Sequence, residues 1–333
     1  MKKTVPSKSW IESRRQAVGL VAAALLGPVA SVARGQSAWA PSRTVKIIVP
    51  FPAGGANDVI ARVIAQGLQA NLGQPVIVEN RSGASGVIGS EFAYRAQPDG
   101  HTLLLFSLDT LVVALAMKAK FDTFRFEPIG GLLSTYFVLV GRRDLPAASL
   151  TELVALAGTR SLTYSSFGVG TSAHVGMVSV ANKLGVKNLL HVPYQGAAPA
   201  IQALLASQVD IGLMPAAAVV QHLPKLQPYA VTSESRDAET PTVPTLREQR
   251  VDFEAGSWSG LVAPPGTSPA ITEQLSIALT KTLADPGTRQ ALTTIPAVVP
   301  LSGDVKSFKK LFQEESNRWA EVIRSADITA NSN

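Results

Sequence analysis

The chain has 333 residues, of which 46% are hydrophobic, 16% are charged and 6% are aromatic. This length suffices for two α/β lobes with their own cores, and the high apolar and low charged content excludes an intrinsically disordered chain. The chain contains no cysteine, which excludes disulfide bridges, thiolate metal sites, iron–sulfur clusters, a cysteine nucleophile and a lipid-modified cysteine.

The net charge of +6 is concentrated at the N-terminus. Residues 1–40 contain six basic residues and a single glutamate, a net charge of +5, so the rest of the chain carries only +1. No cluster of basic and aromatic residues occurs in that remainder. We therefore expect no binding to nucleic acid.

Residues 1–40 also have the layout of an export signal. A basic, polar start is followed by the apolar stretch Ala17–Ala33 and then by small residues. The apolar stretch contains Gly27 and Pro28 and is shorter than the roughly 20 residues that a membrane span needs. These features favour a cleaved signal over a membrane anchor, and they predict a mature protein that is soluble in the periplasm.

The export route and the cleavage site stay open. The segment Ser13–Gln16 contains an arginine pair that fits part of a twin-arginine signal, but the residues that follow do not complete that motif, so a Sec signal fits equally. Cleavage is expected after Ala33, Gly35 or Ala40, and Pro41 disfavours the last of these because proline is poorly accepted after the scissile bond.

Strands and helices are predicted to alternate from Val45 onward. The patterns indicate strands at Val45–Val49, Pro75–Val78 and Thr102–Phe106, and helices at Asp58–Leu72 and Gly89–Arg95. This alternation predicts a mostly parallel sheet that is covered by helices on both faces.

The same pattern starts again after a strand at Phe137–Val140. Its predicted elements are helices Ser149–Ala157, Ala173–Leu184 and Ala197–Ala206, and strands Leu162–Tyr164, Leu189–Val192, Ile211–Met214 and Tyr229–Val231. A late apolar strand, Trp258–Val262, is similar to the strand at Phe137–Val140, and helices Pro269–Leu283 and Val305–Ser325 follow it.

These patterns predict an α/β protein of two domains between which the chain crosses twice. Domain 1 is expected to contain residues 41–139 and 259–333, and domain 2 is expected to contain residues 140–258. Hinged binding proteins have this organisation, with the ligand in the interdomain cleft.

The segment Pro50–Asp58, which we call the first glycine-rich loop, lies between a predicted strand and a predicted helix. Its paired glycines let the backbone approach a ligand closely, and the N–H groups at the helix start favour an anion. A plain turn in which Asn57 or Asp58 caps the helix is the alternative. The candidate ligand-binding residues here are Phe51, Ala53, Gly54, Gly55, Asn57 and Asp58.

The segment Ser165–His174, which we call the second glycine-rich loop, has the same position between a strand and a helix in the second domain. Its hydroxyl and N–H groups predict a second site for an anion or a carboxylate. Two such sites, one per domain, would hold a ligand carboxylate from both sides. The candidate residues are Ser165, Ser166, Gly168, Gly170, Thr171, Ser172 and His174.

A secreted hydrolase that uses Ser172 or His174 is the enzymatic alternative. The sequence Gly170–His174 misses the Gly-x-Ser-x-Gly pattern at its last position, and no motif places an acid beside His174. The four histidines of the chain are too dispersed for a helical zinc pair. We therefore expect no enzyme activity, no metal and no cofactor.

Several motifs, in order from about Pro41 to the C-terminus, resemble those of a known family. They are Pro50–Asp58 with its PFPAGGxxD pattern, Val78–Gly86, Pro98–Leu104, His191–Gly196, Val231–Ser233, Pro241–Thr245 and Ser257–Pro264. This chain resembles the substrate-binding proteins of tripartite tricarboxylate transporters, which are also called the Bug family.

The resemblance implies a periplasmic receptor with a type II-like binding-protein fold, in which two lobes close on a small carboxylate. The ligands of the family are di- or tricarboxylates, acidic amino acids or aromatic acids, and the two glycine-rich loops hold a ligand carboxylate, partly through ordered water. The implied partners are the membrane permease subunits of such a transporter, and we expect a monomer. The motif His191–Gly196 adds Tyr194 to the candidate residues. A ligand sensor for a membrane signalling protein would have the same pocket.

Three departures from the family pattern affect the expected pocket. The segment Gly212–Ala218 lacks the usual polar residues, and Ser82 replaces a usual proline, which predicts a less polar far side. The segment Ser107–Thr110 adds Ser107 and Asp109 as candidates in a loop after the third strand. There Asp109 would contact a cation or amide of the ligand, or would lie on the surface.

Overall fold

The ends of the chain lie outside the part that can be described. The structure is a computed structural model, and it describes residues 39–326. The predicted export signal, with the cleavage sites after Ala33 and Gly35, falls outside these residues almost entirely. Within residues 39–326, no helix combines the length and the apolar character needed to cross a bilayer.

Ten strands of the described residues form one mixed sheet in the order β2-β1-β3-β9-β4-β7-β5-β6, and β8 and β10 both pair with β4. The strands are β1 (Val45–Val49), β2 (Val76–Asn80), β3 (Thr102–Ser107), β4 (Glu127–Arg142), β5 (Leu162–Ser166), β6 (Leu189–Pro193), β7 (Ile211–Pro215), β8 (Leu226–Val231), β9 (Gly256–Ala263) and β10 (Val299–Pro300). Strands β2, β1 and β3 are parallel to one another, as are β7, β5 and β6.

The long strand β4 joins the two halves of the sheet. Its first part pairs with β9 as far as Tyr136, and from Phe137 onward it pairs with β7 and β8. We call the half that contains β1, β2, β3, β9 and β10 lobe 1, and the half that contains β5 to β8 lobe 2. The chain passes from lobe 1 to lobe 2 within β4 and returns between β8 and β9, so it crosses twice, as the sequence predicted. The exact domain boundaries at 139/140 and 258/259 stay a prediction.

Helices cover both faces of the sheet. They are α1 (Ala56–Leu72), α2 (Val87–Tyr94), α3 (Leu108–Ala116), α4 (Leu150–Thr159), α5 (Ser172–Lys183), α6 (Ala197–Leu205), α7 (Ala216–Val219), α8 (Pro269–Ala284), α9 (Pro286–Thr293) and α10 (Val305–Ala326). On one face of lobe 1, Leu103 and Leu105 of β3 share a core with Ile60 and Ile64 of α1.

Helix α10 packs against both lobes. In lobe 1, glycine at position 260 leaves the space that the Phe308 ring occupies, since a β-carbon there would clash with the ring. In lobe 2, the buried Trp319 ring approaches Gly176 of α5. The same core contains Phe106 of β3 and Phe137 of β4. The two lobes are therefore joined by a common core as well as by the crossing strands.

Helix α3 is the main difference from the expected elements. The sequence predicted a loop at Ser107–Thr110, but the chain enters helix α3 at Leu108. Every residue from Leu108 to Ala114 is buried, so the helix has no solvent face and no 3.6-residue polar periodicity that could reveal it.

Candidate functional site

The first glycine-rich loop leads directly into helix α1. Gly54 adopts φ = 81°, a left-handed conformation that favours glycine, whereas Gly55 has φ = −79° and ψ = 167°. Gly55 is the N-cap residue, and no side chain caps the helix. The alternative in which Asn57 or Asp58 is the N-cap is therefore wrong, because the helix starts two residues earlier than the periodicity indicated.

The buried side chain of Asp58 holds this loop in place through hydrogen bonds. Its carboxylate is buried and accepts hydrogen bonds from Gly54 N (2.9 Å), from Arg62 Nε and Nη2 (both 3.0 Å) and from Asn80 Nδ2 (2.9 Å). Burial acts to raise the pKa of Asp58, but these hydrogen bonds outweigh it and hold the pKa below its ordinary value. Asp58 is thus charged and stabilises the loop, and both of its carboxylate oxygens already accept hydrogen bonds from the protein.

The start of α1 leaves backbone donors free. Among the described residues, the N–H groups of Gly55, Ala56 and Asn57 donate to no acceptor. Ala53, Gly54 and Ala56 are exposed, so an anion can reach these donors. A helix N-terminus with free N–H groups carries a partial positive charge and favours a carboxylate or phosphate.

Ser107 and Ser259 lie opposite each other at the end of β3 and on β9. Both residues are buried, at 3% and 2% exposure, and neither hydroxyl donates to an acceptor among the described residues, although the Ser107 side chain also forms a capping box with Thr110 at the start of α3. Buried hydroxyl groups without a partner are rare and indicate a ligand or a water. Ser107 and Ser259 lie on the same face of the sheet as Leu105 and Leu261, whose side chains share a core with helix α1.

The strand register places this serine pair next to the first glycine-rich loop. Ile48 of β1 lies opposite Leu104 of the parallel strand β3, so the chain that follows β1 runs beside the end of β3. The first glycine-rich loop and Ser107 therefore lie at the same edge of the sheet, where the Phe51 ring approaches Gly86. Sequence analysis found Ser107 but missed Ser259, and the only signal was a small polar residue within an apolar strand.

Polar groups of the second glycine-rich loop form hydrogen bonds with one another and with His191. Ser166 Oγ lies 3.0 Å from Gly168 O and 2.7 Å from His191 Nε2, and Gly170 N donates to His174 Nδ1 (3.0 Å). Thr171 Oγ1 donates to Gly168 O at 2.7 Å. The loop is therefore rigid and largely satisfied without a ligand.

Two histidines and a tyrosine stack behind this loop. The rings of His174 and His191 are parallel with their centres 4.0 Å apart, and Tyr164 stacks on His191 at 4.8 Å. Burial lowers the pKa of His174 to about 4, and burial with the nearby His174 lowers that of His191 to about 3. Both rings are therefore neutral at pH 7.

Asp109 occupies the start of helix α5. Its Oδ1 accepts hydrogen bonds from Ser172 N (2.9 Å) and Ser172 Oγ (2.6 Å), so a carboxylate of lobe 1 binds the helix N-terminus of lobe 2. Burial raises the pKa of Asp109 above its ordinary value, and the two hydrogen bonds oppose this shift. Asp109 is neither in a loop nor on the surface, because it lies in the first turn of α3 and points into the lobe interface.

The remaining candidates lie near the second loop. Ser165 is fully buried within β5, where its hydroxyl contacts Ile211 O at 3.5 Å. Tyr194 is half-buried, and its backbone N–H donates to Ser166 O at 2.9 Å. Ser165 and the backbone of Tyr194 thus support the loop.

The proposed nucleophile and base are separated in the hydrogen-bond network. Ser172 Oγ donates to Asp109, whereas His174 Nδ1 accepts from Gly170 N. Nucleophilic catalysis needs a base in hydrogen-bond contact with the nucleophile, and these two residues do not provide that arrangement. Residues 39–326 also contain no group of three or more histidine, aspartate or glutamate side chains that could hold a metal ion.

The α/β fold, with two lobes on one mixed sheet, is that of a solute-binding protein, and comparisons with known proteins agree. Residues 60–328 match the family model of the tripartite tricarboxylate transporter family receptor. A UPF0065 protein of Pseudomonas sp. (strain P51), from the tcbD-tcbE intergenic region, is 33% identical over 299 residues, which cover 87% of this chain and 88% of that protein.

Two solved structures are also similar. The periplasmic binding protein BugD shares 31% identity with a TM-score of 0.79, over 87% of this chain and 99% of that one. MatC of Rhodopseudomonas palustris with bound malate shares 32% identity and a TM-score of 0.79, over 85% and 99% of the two chains. The chain belongs to the tripartite tricarboxylate transporter receptor family, to which the Bug proteins also belong. It is a binding protein and not an enzyme, so the hydrolase alternative is excluded.

Proposed function

We propose that this protein is a periplasmic receptor that captures a small organic carboxylate by lobe closure and delivers it to the permease subunits of a tripartite tricarboxylate-type transporter. The observation that carries the proposal is the open N-terminus of α1, at the same edge of the sheet as the buried hydroxyls of Ser107 and Ser259, which donate to no acceptor among the described residues. The receptor acts as a monomer.

A carboxylate fits these groups chemically. Its two oxygens accept several hydrogen bonds at once, and the N–H groups of Gly55, Ala56 and Asn57 together with the two serine hydroxyls can supply them. Hydrogen bonds to a charged acceptor contribute roughly 1.5 to 3 kcal/mol each, which is enough for selective binding without a cationic side chain. The malate bound to MatC supports the same ligand class.

Close contacts between the lobes support the proposed closure. A β-carbon on Gly168 of lobe 2 would lie 2.5 Å from Ser85 Oγ of lobe 1, so glycine is needed for this close approach. Gly170 similarly lies against Met117 at the end of α3. A ligand that contacts both lobes stabilises the closed state, because only differential affinity shifts a hinge equilibrium.

A binding screen tests the ligand class. Protein recovered from the periplasm is screened by thermal shift and then by calorimetry against butanoate, succinate, hexanoate, adipate, benzoate and phthalate, with the corresponding neutral amides as controls. At least one acid should bind with one-to-one stoichiometry, be recovered unchanged, and decrease the radius of gyration in small-angle scattering. Binding of the amides as tightly as the acids would contradict a carboxylate receptor.

Mass spectrometry tests export. We expect the periplasmic protein to begin between Arg34 and Pro41, since the basic start and apolar stretch precede this window. An intact Met1 in the soluble periplasmic fraction would contradict cleavage.

Uptake measurements test delivery to a transporter. Cells should accumulate the labelled acid only when they contain both this receptor and the permease subunits. Uptake that persists without the permease would contradict delivery and would favour a sensory role.

A further inference from the structure

We propose that Asp109 acts as a built-in substitute for a second ligand carboxylate, so that this receptor selects acids with one carboxylate over matched dicarboxylates. The proposal rests on the proposed function, in which α1 binds the first carboxylate. It concerns the other end of the ligand, where the second glycine-rich loop was expected to offer an equivalent site.

The geometry of Asp109 is that of a bound carboxylate. One oxygen accepts two hydrogen bonds from the first residue of α5, one from Ser172 N and one from Ser172 Oγ. The side chain is 8% exposed and belongs to lobe 1, whereas the donors belong to lobe 2. A negative charge at a helix N-terminus is stabilised by the helix dipole. The anion site of α5 is therefore occupied by the protein itself.

Three other donors of the second glycine-rich loop also have partners, and the N–H groups of Ala173 and His174, which have none among the described residues, belong to buried residues. Gly168 N donates to Ser166 Oγ, Gly170 N donates to His174 Nδ1, and Thr171 N donates to Gly168 O. A second ligand carboxylate that bound Ser172 N and Oγ would have to displace Asp109. Displacement would leave a buried donor or a buried charge without its partner, which is costly.

The neighbouring edge of lobe 2 offers no alternative anion site. Strands β5 and β7 are parallel, so their carboxyl ends lie at the same edge of the sheet. After β7 the chain continues through Pro215, which has no N–H group, into the small apolar residues Ala216–Ala218. Neither Ser165–His174 nor Gly212–Ala218 contains lysine or arginine. This edge suits the apolar body of a monocarboxylate.

Matched acids of equal chain length test the proposal. Calorimetry on periplasmic protein compares butanoate with succinate and hexanoate with adipate, and the wild type should bind the monocarboxylate of each pair at least about tenfold more tightly. Asp109→Ala frees Ser172 N and Oγ, and it should shift the ratio of the two affinities toward the dicarboxylate by about tenfold or more.

Asp109→Asn is the matched control. The asparagine oxygen can still accept from Ser172 N and Oγ, so the donors stay occupied and most of the preference for the monocarboxylate should remain. Circular dichroism and the melting temperature show whether each variant is folded, and the wild-type ratio tests the proposal without any variant.

The outcomes separate this proposal from the proposed function. Tighter binding of the dicarboxylates by the wild type, an unchanged ratio in a folded Asp109→Ala protein, or an equal shift in Asp109→Asn would overturn the role of Asp109 while leaving a carboxylate receptor in place. If none of the four acids binds to the wild type or to Asp109→Ala, the proposed carboxylate receptor fails, and this inference fails with it.

Discussion

The first and second glycine-rich loops each contain two glycines and have the same position between a strand and a helix, but their donors have different partners. At the first loop, the N–H groups of Gly55, Ala56 and Asn57 are free among the described residues. At the second loop, Ser172 N and Oγ bind Asp109, and Gly170 N binds His174.

The difference teaches that a strand, small residues and a helix define an anion site only when nothing in the protein fills it. The first loop also contains a carboxylate, that of Asp58, but this carboxylate binds Gly54 N. The N–H groups that follow, from Gly55 to Asn57, therefore stay free. Asp109 lies in front of its helix and closes the site. The four predictions below test this contrast from the largest expected effect to the smallest.

Lowering the pH should destabilise the second loop through its two stacked histidines. The unfolded histidines take up protons near pH 6.5, whereas folded His174 and His191 do so only near pH 4 and 3. Their contribution to stability is therefore complete above pH 6.5 and is lost as the pH falls below it. We expect a loss of about 1.4 kcal/mol per pH unit for each histidine in the free energy of unfolding.

Urea unfolding between pH 7 and pH 5 measures this slope. The control is His174→Asn, whose side-chain oxygen can still accept from Gly170 N but cannot titrate. One of the two histidines then no longer takes up a proton on unfolding, so the slope should fall by about half. An identical slope in this variant would show that other groups cause the pH dependence.

Gly54→Val should damage ligand binding at the first loop. Gly54 has φ = 81°, which a β-branched residue adopts only with strain of about 1 to 2 kcal/mol, so the turn that presents the free donors should change shape. Calorimetry with the tightest-binding acid of the panel should show a loss of affinity of about 100-fold or more, since several charge-assisted hydrogen bonds depend on this turn.

Gly55→Ala is the control for this substitution. Gly55 has an ordinary extended backbone, and a β-carbon there would lie 3.5 Å from Pro52 O, which is a normal contact. Its effect on affinity should be less than about tenfold. Equal losses in both variants would indicate that bulk near the ligand, and not the conformation of Gly54, sets the affinity.

Asp58→Ala should destabilise the first loop by about 1 to 3 kcal/mol, because Gly54 N, Arg62 and Asn80 lose their common acceptor. Asp58→Asn retains one acceptor oxygen and should lose less. Chemical denaturation of the two variants provides the measurement, and equal stability of Asp58→Ala and the wild type would contradict the bracing role of this carboxylate.

Ser107→Ala and Ser259→Ala should weaken ligand binding by about five- to tenfold each, because each removes one hydrogen bond to the ligand. Without ligand, Ser259→Ala should be as stable as the wild type or slightly more stable, since its hydroxyl is buried without a partner, whereas Ser107→Ala should lose about 1 kcal/mol because Ser107 caps α3. Ser166→Ala is the opposite control, because it removes a hydroxyl that has hydrogen-bond partners. It should lower the free energy of unfolding by about 1 kcal/mol. Unchanged affinity in both of the first two variants would place the ligand elsewhere.

The sequence alone determined the alternating elements and the two crossings of the chain. Strand β1 was predicted with its exact bounds, and α5 and α10 within one residue, because their apolar periodicity and flanking breakers are local signals. The motif Pro50–Asp58 likewise located the loop that carries the free donors, since glycine pairs between a strand and a helix are visible in any sequence.

Only the tertiary structure decided what each loop contacts. Helix α3 is buried on all sides, so its sequence has no periodicity, and without that helix the position of Asp109 could not be inferred. Asp109 and Ser172 are 63 residues apart in the sequence and come into contact only because the two lobes pack together. Ser107 lies opposite Ser259 only because of the register of β3 and β9. Local patterns record the conformation of a segment, whereas the partner of a buried polar group is set by long-range packing, which no short stretch of sequence encodes.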